Sequence, residues 1–163
     1  AQLQEDGSLD QRVLDKLEPE EPFTLFEVTV VDEMDVYKSL TDPLPWVTND
    51  LLLLIRAEAR LASNQRGEAL ADVNVIRTVD GNLPALPSGW SGDLLDEILY
   101  NKLLSLLWEG GFQYFDYRQY DMLDELPRAR PNHGVYPGYP YPINECLARD
   151  IMDQVECSTY FAG

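Results

Sequence analysis

Basic side chains are scarce in this chain. Lysine and arginine together number 12 against 29 aspartates and glutamates, so the net charge at pH 7 is −17. Such a surface repels phosphate backbones, which excludes nucleic acid as a natural partner, and it suits neutral or cationic ligands better than anions. Histidine occurs once, at His133, and cysteine twice, at Cys146 and Cys157. That set is too small and too scattered for a metal centre. No apolar run approaches the roughly 20 residues that cross a bilayer. The longest, at 51–55, has the length of a helix core. The opening residues Ala1-Gln2-Leu3-Gln4-Glu5-Asp6 have neither the basic nor the apolar region of a signal peptide. No cysteine is placed to take an N-terminal lipid, so neither leader nor anchor is expected within this stretch.

The signatures of catalysis are missing as well. No serine or cysteine stands in a nucleophile-elbow context, and no glycine-rich phosphate loop follows a strand. His133, in Pro131-Asn132-His133-Gly134, reads as a solvated loop residue. Asp32-Glu33-Met34-Asp35 supplies oxygen ligands without the glycine turn and spacing of a calcium loop, and reads as a solvated acidic turn. No catalytic residue, metal or cofactor is expected.

What is present describes a globular protein. Apolar residues at 45% and charged residues at 25%, over 163 positions, support one domain, 1–163, with a core of its own. Residues 8–17 predict a short helix with Asp10 in its first turn, stopped by Pro19 and Pro22. The β-branched and aromatic stretch 24–31 predicts a strand, and Asp42-Pro43-Leu44-Pro45 a loop. From Thr48 the period becomes helical, with Leu51, Leu54, Ile55, Glu58, Ala59 and Ala62 on one face. Asn64-Gln65-Arg66-Gly67 interrupts it, and Ala69, Leu70, Val73, Ile76 and Arg77 define a second helix. The pair is a helical hairpin over about 49–78, the unit of tetratricopeptide-like stacks.

A second hairpin is expected over about 92–124. Ser91 or Asp93 caps its first helix. Leu95, Ile98, Leu99, Lys102, Leu103 and Leu106 form the buried stripe, widened by Leu94 and Leu107, and Gly110-Gly111 ends it. Phe112 to about Leu123 forms the next helix. Residues 127–142, rich in proline and tyrosine, predict a long irregular C-terminal loop. The fold class is therefore mainly α: tetratricopeptide-like helical hairpins, a minor β element and a long Pro/Tyr-rich loop. Cys146 and Cys157 are close enough in sequence to staple the C-terminal tail in an oxidising compartment, and two free thiols fit equally.

Glu58, Arg77, Glu109, Asp116 and Arg118 fall on otherwise apolar helical faces. Two of the carboxylates could form a glycosidase acid and base, which need a separation of about 5–10 Å. Charges among apolar residues are more economically read as ion pairs within the helix stack, the acids matched with arginines, because an isolated buried charge costs several kcal/mol. Aromatic residues in irregular segments, Tyr37, Trp46, Trp90, Tyr136, Tyr139 and Tyr141, are candidates to stack on the flat C–H faces of a sugar. The last three tyrosines can equally act as a proline-stiffened strap along the helices.

Four landmarks in order carry a family resemblance. They are Leu53-Leu54-Ile55-Arg56-Ala57-Glu58-Ala59, Asn74-Val75-Ile76-Arg77, Glu109-Gly110 with Asp116-Tyr117-Arg118, and Pro140-Tyr141-Pro142-Ile143-Asn144-Glu145. Asp10-Gln11-Arg12 adds an upstream Asp-x-Arg. Together they resemble the C-terminal region of the SusD/RagB family, surface lipoproteins that bind nutrients, often glycans. The chain departs from the family pattern at Asn101-Lys102, where Glu-Arg is usual, and at Gly111-Phe112-Gln113, where Gly-His-Arg is usual. The resemblance implies the C-terminal portion of a longer protein that does not catalyse a reaction. It implies nutrient capture at the outer-membrane cell surface, a TonB-dependent (SusC-like) transporter as partner, and membrane contact only through a lipid anchor that this chain lacks. The competing expectation is a helical-repeat module that docks a protein without binding sugar. A glycoside hydrolase fragment is a more distant third.

Overall fold

The computed structural model describes residues 2–25, 28–37, 39–108, 112–128, 135, 138 and 142–151. The fold is mainly α with a minor antiparallel β element. In chain order the described elements are α1 (Gln11–Lys16), β1 (Leu17–Leu25), β2 (Val28–Met34), α2 (Asn49–Ala62), α3 (Arg66–Val79), α4 (Leu94–Ser105), α5 (Phe112–Gln119), a 3-10 turn at Leu123–Glu125, and α6 (Ile143–Arg149). The chain expected as one domain divides into two compact units, 1–116 and 117–163.

Unit 1 is built around α2, α3 and α4. The α2–α3 hairpin has the expected bounds within a residue or two, and its signals are local. The Thr48 hydroxyl accepts from the Leu51 amide at 3.3 Å and starts α2. Asn64 takes the left-handed conformation (φ 59°), and the Gln65 amide returns to the Arg60 carbonyl at 2.8 Å, which ends it. Ala57 of α2 meets Ala69, Leu70 and Val73 of α3, and Leu94 and Ile98 of α4 close this cluster. Leu54, Ile76 and Leu106 form a second cluster, with Phe112 against it. The small alanines allow the close approach.

The stripe expected on α3 is the one that is buried: Ala69, Leu70, Val73, Ile76 and Arg77, together with Asp72. On α2 the stripe is rotated. Leu54 and Ala57 face inward, whereas Ile55, Ala59 and Ala62 are exposed. Residues 51–55 are apolar all round, so the period alone leaves the phase open there.

Two elements are shorter than the sequence indicates. α4 stops at Ser105, ahead of Gly110-Gly111; Trp108 turns left-handed (φ 68°) just beyond it, and Lys16 of α1 caps the end. Its ammonium donates to the Leu104 and Ser105 carbonyls at 2.8 and 2.6 Å, capping the orphan acceptors of the last turn with a cation. α5 stops at Gln119 because Asp121 turns left-handed (φ 58°) and the Met122 amide bonds the Tyr117 carbonyl at 2.7 Å.

The single strand expected over 24–31 is a hairpin. Pro19 and Pro22 do not end a helix there. They lie in β1, where a fixed φ suits extended backbone, and the register shifts between Pro19 and Phe23. α1 starts one residue after Asp10, whose carboxylate caps it by accepting from the Arg12 amide at 3.0 Å.

In unit 2, Cys146 is buried and disulfide-bonded. Cys157, the chain's other cysteine, lies outside the described residues.

Candidate functional site

The charged residues inside unit 1 come in three groups. The first begins at Asp10-Gln11-Arg12. Arg12 grips the Asp10 carboxylate through two nitrogens, at 2.9 and 2.6 Å, and reaches across to Asn101 Oδ1 at 2.9 Å and Ser105 Oγ at 3.0 Å on α4. The Tyr100 hydroxyl donates to Asp10 at 2.9 Å and its ring lies under the Arg12 guanidinium. Burial opposes the charge on Asp10, but the hydrogen bonds and charge of Arg12 outweigh it and hold the carboxyl below its ordinary pKa. Burial also pushes the Tyr100 phenol up to about 12. Gly81 closes against this group. A β-carbon there would fall 2.9 Å from the Arg77 carbonyl oxygen and 3.1 Å from Arg12.

The group continues through Glu97. Arg77 donates to Glu97 at 2.5 Å and to the Pro84 carbonyl at 3.1 and 3.2 Å, and Asn101 Nδ2 donates to Glu97 Oε1 at 2.8 Å. Arg77 is thus a paired structural cation, with Glu97 as the partner that sequence reasoning missed.

In the second group Lys102 is the shared cation. Its ammonium sits 2.6 Å from Glu58 and 2.8 Å from Asp116, and its side chain is only 5% exposed. The sequence suggests arginines as partners for these two acids, and a single lysine serves both instead. Burial opposes the lysine's charge, yet the two carboxylates prevail and raise its pKa. For Asp116 the balance goes the other way: burial, together with the charge of Glu58, raises its pKa against the pull of Lys102. Arg118 is exposed on α5, and no ion pair joins it to another described residue. Glu109 lies outside the described residues.

The third group is absent from the expectations drawn from sequence. Asp72, buried on α3, accepts from Arg56 at 2.7 and 3.0 Å and from Arg60 at 2.5 Å, both on α2. Burial opposes its charge, but the two arginines hold its pKa below the ordinary value. The signal was available: Arg56 and Arg60 stand one helical turn apart, and Asp72 interrupts the apolar run Ala69, Leu70, Val73.

Every acid in these groups is engaged with a cation. Among the described residues no group of acids, histidines or cysteines could hold a metal ion, and no helix is long and apolar enough to cross a membrane.

The aromatic candidates divide sharply. Trp46 is 98% exposed, beside exposed Leu44 and Val47. Its loop is tied at both ends, by Asp42 accepting from the Ser39 amide and hydroxyl at 2.9 and 2.6 Å and by the Thr48 cap of α2. Pro43 and Pro45 stiffen what lies between. Trp90 is instead half-buried against the α2–α3–α4 cluster. The Arg66 guanidinium covers its ring at 5.8 Å and donates to the Trp90 and Gly92 carbonyls, so Trp90 is a wedge between loop and helices. No ring contact joins it to Trp46 among the described residues. Tyr136, Tyr139 and Tyr141 lie outside the described residues.

Clefts flank the helices of unit 1, among them one of about 300 Å³ lined by Gln11, Asp15, Lys16, Asp50 and Asp80. Another, of about 450 Å³, lined by Gln4, Glu5, Asp6, Thr78, Asn82 and Pro84, is polar and has no aromatic ring. A further one, of about 400 Å³, is apolar, formed by Leu103, Leu106, Leu107, Trp108 and Phe112 beside Lys102. Comparison of the chain with protein-family models, with curated proteins and with solved structures found no match in any of the three.

Proposed function

We infer that this protein is a non-catalytic binding protein that captures a nutrient, a glycan or oligosaccharide, at the outer-membrane cell surface and hands it to a TonB-dependent transporter, in the manner of the SusD/RagB family that its motifs resemble. The helical hairpins are taken as tetratricopeptide-like scaffold, and 127–142 as a Pro/Tyr-rich loop. One observation carries the reading. The buried carboxylates are committed to Arg12, Arg77, Lys102, Arg56 and Arg60, while the Trp46 ring is presented to solvent on a braced loop.

A bare indole face on an acidic protein is suited to a neutral polyhydroxylated ligand, because the ring stacks on C–H faces. The test is calorimetric titration with a panel of neutral oligosaccharides, on the chain and on Trp46→Ala. Binding by the chain and its loss in the variant are expected. A ligand bound equally by both, or hydrolysis of any panel member, would overturn the reading.

A second reading, a protein-docking module without sugar binding, is favoured by a different feature, the exposed acidic ribbon formed by β1 and β2.

A further inference from the structure

The β1–β2 ribbon is unlike the rest of unit 1. Glu18, Glu20, Phe23, Val31, Asp32 and Glu33 are all exposed. Two strands alone are marginal in water unless a third strand or a helix covers them. The two edges also differ. β1 contains Pro19 and Pro22, which have no N–H and close that edge to pairing. β2 contains no proline and runs Val28-Thr29-Val30-Val31, a β-branched sequence suited to a sheet. Among the described residues β2 pairs with β1 only, and its outward backbone groups bond no other backbone.

Charge says what that edge would accept. No lysine or arginine lies in either strand, and the register sets Glu18 directly opposite Glu33. Like charges in that position destabilise a ribbon. Glu20 crowds the same place: its carboxyl, close to that of Glu33, raises the Glu33 pKa. The bare ribbon therefore carries a repulsion that a cationic neighbour would relieve. On an added strand alternate side chains share a face, so basic residues at every second position would meet this cluster together.

We propose that the β2 edge is a docking site for an extended, proline-free, basic segment of a partner protein, which adds as a third strand and sets its lysines or arginines against Glu18, Glu20 and Glu33. Main-chain hydrogen bonds to Val28–Met34 supply affinity, and the acids supply the choice of partner. The proposal goes beyond the glycan reading and does not depend on it, since the Trp46 loop takes no part.

The probe is a fluorescent peptide of alternating lysine and threonine, titrated into the full chain by anisotropy at low and high salt. Its control has the same charge but proline in place of every threonine. Loss of a few main-chain hydrogen bonds should weaken the control by about tenfold or more. The triple variant Glu18→Gln, Glu20→Gln, Glu33→Gln, altered only at exposed positions, should lose a similar factor, and binding by the native chain should weaken as salt rises. Amide exchange at residues 28–34 should slow when the threonine peptide is bound. Equal binding of the two peptides would mean that acids merely attract any cation, and would overturn the proposal. So would undiminished binding by the triple variant, or no binding of the threonine peptide.

Discussion

Replacing Lys102 by methionine is the most informative single change to this fold. Methionine keeps most of the lysine's length and its packing atoms, so the perturbation is removal of one charge. In the native protein that ammonium lies 2.6 Å from Glu58 and 2.8 Å from Asp116, with Lys102 and Asp116 both almost completely buried. Without it two carboxylates face each other in a water-poor site. Breaking a buried pair by removing one partner costs about 3–5 kcal/mol, and melting temperature should fall by on the order of 10 °C or more. The loss has a pH signature. Asp116 already has a folded-state pKa above its ordinary value, because burial and the charge of Glu58 together outweigh Lys102. Its protonated form thus favours folding below that raised pKa, and the contribution is lost as pH rises through it. Removing the lysine pushes the pKa higher still, so the variant's deficit should be largest at neutral pH and shrink toward about pH 4. Adding Glu58→Gln and Asp116→Asn to Lys102→Met should restore much of the loss. Urea unfolding at several pH values reads all of this. A Lys102→Met protein as stable as the native one at neutral pH, or with a deficit independent of pH, would refute the argument.

Two further outcomes follow from the same geometry. Gly81→Ala places a methyl group against the Arg77 carbonyl and the Arg12–Asp10 pair. It should destabilise by about 1–3 kcal/mol in chemical unfolding, the range for overpacking. Asp10 and Asp72 have pKa values held below the ordinary carboxylate value. Their stabilisation is therefore present above about pH 4 and is lost as pH falls through the lowered values; Asp10→Asn should flatten that acid limb, and an unchanged limb would contradict the pairing.

Much of the helical architecture was legible in the sequence, and the reasons are local. Thr48 and Asp93 announce the starts of α2 and α4, and Ala69, Leu70, Val73 and Ile76 lie on a single α3 stripe bounded by polar residues. The phase of α2 was not legible, because 51–55 is apolar on every side. The Lys16 cap on α4 was invisible too, since that residue is 88 and 89 residues away from the carbonyls it caps. Pro19 and Pro22 read as helix breakers, although an edge strand accommodates them. For the charges, the sequence indicated that Arg77 and Asp116 go inward, but it missed Asp72 and Glu97, it placed the exposed Arg118 inside, and it did not show which residues meet. Glu58 and Asp116 share Lys102, and Arg77 takes Glu97, because partner choice is set by how α2, α3 and α4 cross. Of the aromatic candidates, exposure separates Trp46 from Trp90, and sequence shows both simply as tryptophans in loops.

The central claim is a division of labour between paired charges that hold the helices and an exposed ring that meets the ligand. Measuring stability and oligosaccharide affinity side by side on Lys102→Met and Trp46→Ala tests it most directly. The account expects Lys102→Met to lose stability and to keep its affinity at temperatures where it is folded, and Trp46→Ala to keep stability within about 0.5 kcal/mol while losing affinity. Folded Lys102→Met that no longer binds, together with Trp46→Ala that binds as the native chain does, would contradict it.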